Sequence, residues 1–198
     1  MKRCVDDVRV AYPLFQKEGG GSTPTSTLSA SRLYFYDCRK GFAVDFVRAY
    51  HSRLPKCQSG PWQFAFAAEW HEITFAVALW NNPSTRSLPS HWLELRRLCC
   101  TPDAPRNTCS RFLMWMVRWF QKRHPERERC ISYQDTAVHT GTIYKASGWH
   151  IAHRGQDRIR DRSKARVGTS RMYRTNINGI DADAVAKIRW EKPLRKES

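Results

Sequence analysis

The chain has 198 residues, with 34 Lys and Arg against 18 Asp and Glu, a formal net charge of +16 and an isoelectric point near 10.0. Hydrophobic residues make up 41% and aromatic residues 12%, including 8 Trp, which excludes a disordered basic tail and leaves enough apolar material for one packed domain. A folded domain this basic points to a polyanion, nucleic acid first.

The opening Met1–Asp7 has basic residues but no apolar segment behind them, so no secretory signal is read there. The most apolar run, Phe112 to Phe120, is too short to span a bilayer and contains Arg118. Seven cysteines fall at 4, 38, 57, 99, 100, 109 and 130. They form no CxxC pair, so the default is reduced thiols rather than a disulfide framework or a zinc site.

Residues 18–31 are rich in Gly, Ser and Thr and read as a connector. Leu33 to Cys38 reads as a strand. Phe42 to Tyr50 places apolar residues at 42, 43, 46, 47 and 50, a helical spacing, with Pro55 beyond it. Trp62–Trp70 and Ile73–Trp80 read as strands joined by a tight turn at His71-Glu72, although neither residue is a usual turn former. His91 to Cys100 reads as a third strand. Within it, simple alternation sends Arg96 and Arg97 to opposite faces.

A loop, Pro102 to Asn107, precedes a helix from about Cys109 to Arg123, with Asn107 or Thr108 available as its cap. Cys130–Tyr133 reads as a strand, Thr142–Ala146 as a short helix ended by Gly148, and Trp149–Ala152 as a last core strand. Three antiparallel strands followed by a strand–helix–strand crossover give an α+β fold with a mixed sheet. The chain thus divides into an N-terminal segment (1–32), a core (33–152) and a basic C-terminal extension (153–198). Between 154 and 174 lie eight of the basic residues, and Arg154, Arg158, Arg160, Arg162, Lys164 and Arg166 are expected to track a DNA backbone. A short helix is expected near Asp183–Ile188 and a frayed tail from Glu191 onward.

Chemistry-bearing residues cluster in four places. Ser132, Tyr133, Asp135, His139 and Tyr144 stand where a strand ends and a helix begins, the usual place for a site in an open α/β sheet. His51 ends the first helix, where the helix dipole favours its cationic form. Arg96, Arg97 and the helix N-terminus with Asn107 and Ser110 offer anion contacts.

Several strings occur together: WLELRRL at 92–98, PRNTCSRFL at 105–113, SYQD at 132–135 and HTGTIYKASGW at 139–149, with YHSRLP at 50–55 and PWQFAFAAEW at 61–70. They resemble the Mom family of phage DNA modification proteins. The resemblance implies a GNAT-like fold and conversion of adenine in double-stranded DNA to N6-(carbamoylmethyl)adenine, shielding phage DNA from restriction in the cytoplasm of the infected host. It makes double-stranded DNA the partner; no membrane role is expected, since no apolar run is long enough to span a bilayer.

Asp135, Ser132, His51, Tyr133, His139 and Arg97 are then the candidate catalytic residues. Arg96, Asn107, Ser110, Tyr144 and Trp149 are the candidates for substrate and donor binding. GNAT enzymes hold the pyrophosphate of acyl-CoA on a glycine-rich turn. Here the turn at 106–111 has no glycine, so the donor is open, an acyl-CoA-type molecule or another. His51, Asp135 and His139 also form a candidate ligand set for iron, since two His and one carboxylate suit that metal. Two other classes remain: an acyl-CoA-dependent N-acetyltransferase acting on a protein or small-molecule amine, and a non-catalytic DNA-binding protein.

Overall fold

The computed structural model describes residues 28–51, 57, 60, 62–155 and 186–195. Two apolar strands explain the centre of the molecule. These are β2 (Phe64–Trp70) and β3 (Ile73–Asn81), paired antiparallel. Phe66 and Ala68 point to one side of the sheet, and Ala65 and Ala67 to the other; all four are buried. A strand buried on both faces needs a cover on each.

One cover is α1 (Lys40–Tyr50), which buries Ala43, Val44, Phe46 and Val47 across β2 and β3. The other is α2 (Thr108–Arg123), whose Phe112, Leu113, Met116, Val117 and Phe120 are buried in the larger core cluster. The indole N–H of Trp80 donates to the thioether sulfur of Met116 at 3.0 Å within that core. Both helices follow the apolar spacing read from the sequence.

The sheet has seven strands. β1 (Tyr34–Asp37) pairs with β2, and β4 (Leu93–Cys100) pairs with β3, both antiparallel. α2 then crosses over so that β5 (Arg129–Asp135) lies parallel to β4. The chain continues through α3 (Thr142–Ala146) to β6 (His150–Arg154). Gly148 ends α3 with φ +70, and Trp149 N–H reaches back to the Tyr144 carbonyl at 2.9 Å, the left-handed stop expected of that glycine. This mixed α+β sheet is the expected architecture.

One expectation fails. A seventh strand, β7 (Lys187–Pro193), inserts between β5 and β6, antiparallel to both. No helix begins at 186–188, and Glu191 does not start a frayed tail; it is buried in the sheet. The central sheet therefore draws on residues beyond 152. Ile188 and Trp190 face α3 while Arg189 and Glu191 face away, so the period of two is present, but charge on alternate positions masks it.

The His71-Glu72 turn forms as expected and at a cost. Both residues adopt positive φ, 46° and 66°, the conformation that favours Asn-Gly in a two-residue hairpin.

Candidate active site at the parting of the central strands

β4 and β5 pair through Leu93–Cys130, Glu94–Ile131 and Leu95–Ser132, and no further. β4 runs on to Cys100 and β5 to Asp135 without pairing to each other, each held there by its other neighbour, β3 or β7. The two parallel strands therefore part at their C-terminal ends, and the side chains around that parting form the site.

A bulge in β4 sets which side chains point where. Leu79 pairs with Arg97 and Trp80 with Leu95, leaving Arg96 as the extra residue. Leu93, Leu95, Leu98 and Cys100 therefore pack on the α2 side, and Cys99 on the α1 side. Arg96 and Arg97 both fall on the α1 side, against the expectation of opposite faces. The extra residue cancels the alternation. Arg96 is tied down by Glu94 (Nε–Oε1 3.2 Å) and by the Asn82 carbonyl (3.2 Å). Arg97 is the one that faces the parting, near enough to His51 and Cys57 for its charge to act on both.

At the floor of the parting, the Ser132 and Tyr144 hydroxyls hydrogen-bond at 2.8 Å, and Ser132 Oγ donates to the Leu95 carbonyl at 3.4 Å. Tyr144 stacks on Trp190 at 5.3 Å and meets Trp149 edge-on at 5.7 Å. Burial pushes the Tyr144 phenol up to about 12, opposed by the Ser132 hydrogen bond. It is a neutral hydrogen-bond donor at neutral pH. Trp149 is buried in the core beside Trp80, so its face is not available to stack on an incoming base.

On the α1 side, His51 caps α1, its N–H bonded to the Val47 carbonyl. Burial, then the Arg97 cation, then His139 lower its pKa to about 4. The cationic form expected from the helix dipole is overturned, because desolvation and a neighbouring cation outweigh a partial charge. His51 is a neutral imidazole at neutral pH, the form a general base needs.

Asp135 ends β5 and accepts the Ala137 N–H at 3.0 Å, while its carbonyl accepts the His139 N–H at 3.1 Å. The His139 carbonyl accepts a short hydrogen bond from Gln134 Nε2, and Gln134 Oε1 accepts the Trp190 indole N–H at 2.7 Å. Gln134, buried, thus carries the loop that presents His139, and it was not among the expected residues. Gly141, φ +77, lets this loop close: a Cβ there would meet Gln134 Oε1 at 2.6 Å and Trp190 at 2.7 Å. Tyr133 and Asp135 alternate with Ser132 and Gln134, so they take the opposite face of β5, the side of the sheet that α1 covers.

The iron ligand set is not assembled. Among the described residues no three His, Cys, Asp or Glu side chains group closely enough to hold a metal ion. His51 and His139 interact, but the Asp135 carboxylate is engaged with the turn that follows it.

On the α2 side, a cavity of about 250 Å³ opens at the helix N-terminus, walled by Cys100, Asn107, Cys109, Ser110 and Thr142 among others. Asn107 stands at the cap position with φ +70 but makes no side-chain cap, contrary to expectation. Thr108 Oγ1 bonds instead to the Pro105 carbonyl at 2.6 Å and Ser110 Oγ to the Asn107 carbonyl at 3.1 Å. A left-handed asparagine, φ +70, turns the chain here without a glycine. With no acidic residue in the first turn, the helix end suits an anionic group. Of the expected DNA-backbone residues, Arg154 ends β6 in an exposed position; Arg158, Arg160, Arg162, Lys164 and Arg166 lie outside the described residues.

The model of the Mom protein family matches residues 72–196. The chain belongs to that family. Among solved structures it is similar to the ribosomal-protein-S18-alanine N-acetyltransferase of Escherichia coli: 13% identity, 84% of this chain, 96% of that one, TM-score 0.53. It is also similar to a putative phosphinothricin N-acetyltransferase (11% identity, 83% and 99%, TM-score 0.58). A third is a putative acetyltransferase of Salmonella typhimurium described with its cofactor acetyl-CoA (7%, 84% and 96%, TM-score 0.56). These likenesses fix the fold as GNAT-like. No curated protein matches the sequence. Among the described residues no helix is long and apolar enough to cross a membrane.

Proposed function

We propose that this Mom-family protein is a transferase that modifies adenine N6 in double-stranded DNA to N6-(carbamoylmethyl)adenine. In an infected bacterial cell this would protect phage DNA from restriction. The observation that carries the reading is the two-sided parting of β4 and β5. A cavity with an anion-suited helix end lies on the α2 side, and a neutral imidazole, a guanidinium and the end of β5 lie on the α1 side. One side suits a donor and the other an acceptor.

Adenine N6 is paired and stacked in a duplex, so the base must be flipped out, at roughly a few kcal/mol. Neutral His51 suits removal of a proton from N6 as the new bond to nitrogen forms, and Arg97 beside it suits an anionic contact such as the flanking phosphate. Asp135 suits a hydrogen bond from the exocyclic amine. Tyr144, at the floor, suits donation to the carbonyl of the transferred group in exchange for its hydrogen bond to Ser132. If the donor is of the acyl-CoA type, the turn at Asn107–Ser110 would hold its pyrophosphate; because the product joins N6 to a methylene carbon, the donor would have to supply that carbon with a leaving group, which acyl transfer at a carbonyl does not do. Arg154 and the following basic stretch suit the DNA backbone, with affinity falling steeply with salt.

The test is mass spectrometry of nucleosides from DNA of cells expressing the protein. The modified adenosine is expected with the parent chain and reduced roughly 100-fold or more in Asp135→Ala and His51→Ala, with DNA binding retained. DNA without any modified adenine would overturn the reading. A second reading, an acyl-CoA-dependent N-acetyltransferase acting on a protein or small-molecule amine, is favoured by the acetyltransferases among the fold's neighbours. Acetyl-CoA binding without DNA affinity would select it.

A further inference from the structure

Two thiols meet at the wall of the α2 cavity. Cys100 ends β4, Cys109 is the second residue of α2, and both line the cavity. Their thiols lie close enough to influence one another directly. Strand alternation separates Cys100 from its neighbour: Cys99 is buried on the α1 side, whereas Cys100 packs toward α2. Both members of the pair are half-buried rather than sealed in the core.

The pair is asymmetric. The interaction with Cys100 lowers the pKa of Cys109, and the same interaction raises that of Cys100. Cys109 also stands in the first turn of α2, where free amides and the helix dipole favour a thiolate. The other described cysteines differ. Burial pushes Cys38 and Cys99 up to about 12, raises Cys57, and raises the fully buried Cys130 well above the ordinary thiol range. Cys109 is thus the prepared nucleophile and Cys100 the partner already in contact with it, the two parts a thiol–disulfide exchange requires.

We propose that Cys109 and Cys100 form a reactive dithiol that exchanges with a small-molecule disulfide entering the α2 cavity and closes into an internal disulfide. Cys109 thiolate attacks one sulfur of the incoming disulfide, forming a mixed disulfide and expelling one thiolate. Cys100 then loses its proton and attacks the Cys109 sulfur, expelling the second thiolate. Two protein thiols are oxidised, one external disulfide is reduced to two thiols, and the protons end on those thiols. The new bond would staple the end of β4 to the first turn of α2 and fix the 101–108 connection that walls the cavity. Any effect on DNA modification rests on the reading of that cavity as the donor side; the dithiol itself does not.

Glutathione disulfide, added to the native full chain, is the probe. After alkylation and digestion, mass spectrometry should find a Cys100–Cys109 cross-link. Cys100→Ser should stop at a glutathione adduct on Cys109, and Cys109→Ser should leave Cys100 unmodified. Circular dichroism of both variants checks their fold. If either fails to fold, iodoacetamide labelling of the parent chain replaces it, with Cys109 expected to react ~10-fold or more faster than Cys38, Cys57 or Cys99. No cross-link, an adduct first on another cysteine, or equal labelling rates would overturn the proposal. DNA modification assayed before and after oxidation, and again after dithiothreitol, separates the two readings. A cross-link with modification lost and restored supports both. A cross-link with modification unchanged supports the dithiol and removes the cavity from the donor's route.

Discussion

The two halves of the sheet are built from different material. β2 and β3 are apolar on both faces, sandwiched between α1 and α2. β5 and β7 bury Cys130 and Trp190 toward α2 and α3, beside the polar Ser132 and Gln134; their other face buries Ile131 but also carries Arg129, Tyr133, Asp135, Arg189 and Glu191. The first half can do little but hold shape. The second half keeps charge at the sheet, which is tolerable only where each charge is paired or needed for chemistry. The parting of β4 and β5 lies on the border between them, so the site is braced by one half and furnished by the other.

The sharpest way to break this comparison is to weaken each half separately. Phe66 is fully buried among Trp115, Trp119 and Phe120. Phe66→Ala should cost about 3–5 kcal/mol, read by urea or thermal unfolding. In the polar half, the Glu191 carboxylate is buried between Arg129 and Arg189, 2.9 Å from the latter's Nε. Glu191→Ala removes the carboxylate that two guanidinium groups share and should cost about 3 kcal/mol, with DNA modification falling further than stability alone accounts for. If Glu191→Ala is as mild as a surface change, the polar face is not held by that pairing.

A third prediction concerns pH. The folded pKa of His51, about 4, lies below the ordinary value of 6.5. The unfolded chain therefore binds a proton at His51 that the folded chain resists. The contribution of neutral His51 is fully present above pH ~6.5 and is lost as pH falls toward about 4. His51→Gln should flatten the acid limb of a melting-temperature profile in that window, and an unchanged limb would contradict a buried, neutral imidazole.

Legibility followed the same division. The apolar half was readable because period marks it: 43, 46, 47 and 50 on α1 and 112, 113, 116, 117 and 120 on α2 all proved to lie on or beside the core. The polar half was read less well. β7 alternates Ile188 and Trp190 with Lys187, Arg189 and Glu191, and so much charge hid a strand. Arg96 and Arg97 share a face because of a bulge that no residue type announces. Gln134 and Cys109 sat inside strings already singled out, but their roles depend on partners far along the chain or across a turn, Trp190 and Cys100. The signal available for Cys109 was its place in the first turn of a helix. For Gln134 there was only its position between Tyr133 and Asp135.

The smallest effect is expected at the hairpin that joins the two apolar strands. His71 and Glu72 both hold left-handed backbone angles, which cost a side-chain-bearing residue roughly 1–2 kcal/mol relative to glycine. The turn survives because β2 and β3 are already locked by their buried faces, with pairing resuming through Glu69–Thr74 and Trp70–Ile73 after a bulge that leaves Phe75 unpaired. Replacing both residues, His71→Asn with Glu72→Gly, should therefore stabilise the chain by about 1 kcal/mol, a few degrees in melting temperature. His71 also meets the Trp70 ring edge-on at 4.2 Å, so some packing is given up. A net loss would mean that this contact, rather than the strand faces, holds the turn. DNA modification should not change in either case. The hairpin belongs to the half that only holds shape, and a stability gain with activity intact is what that assignment requires.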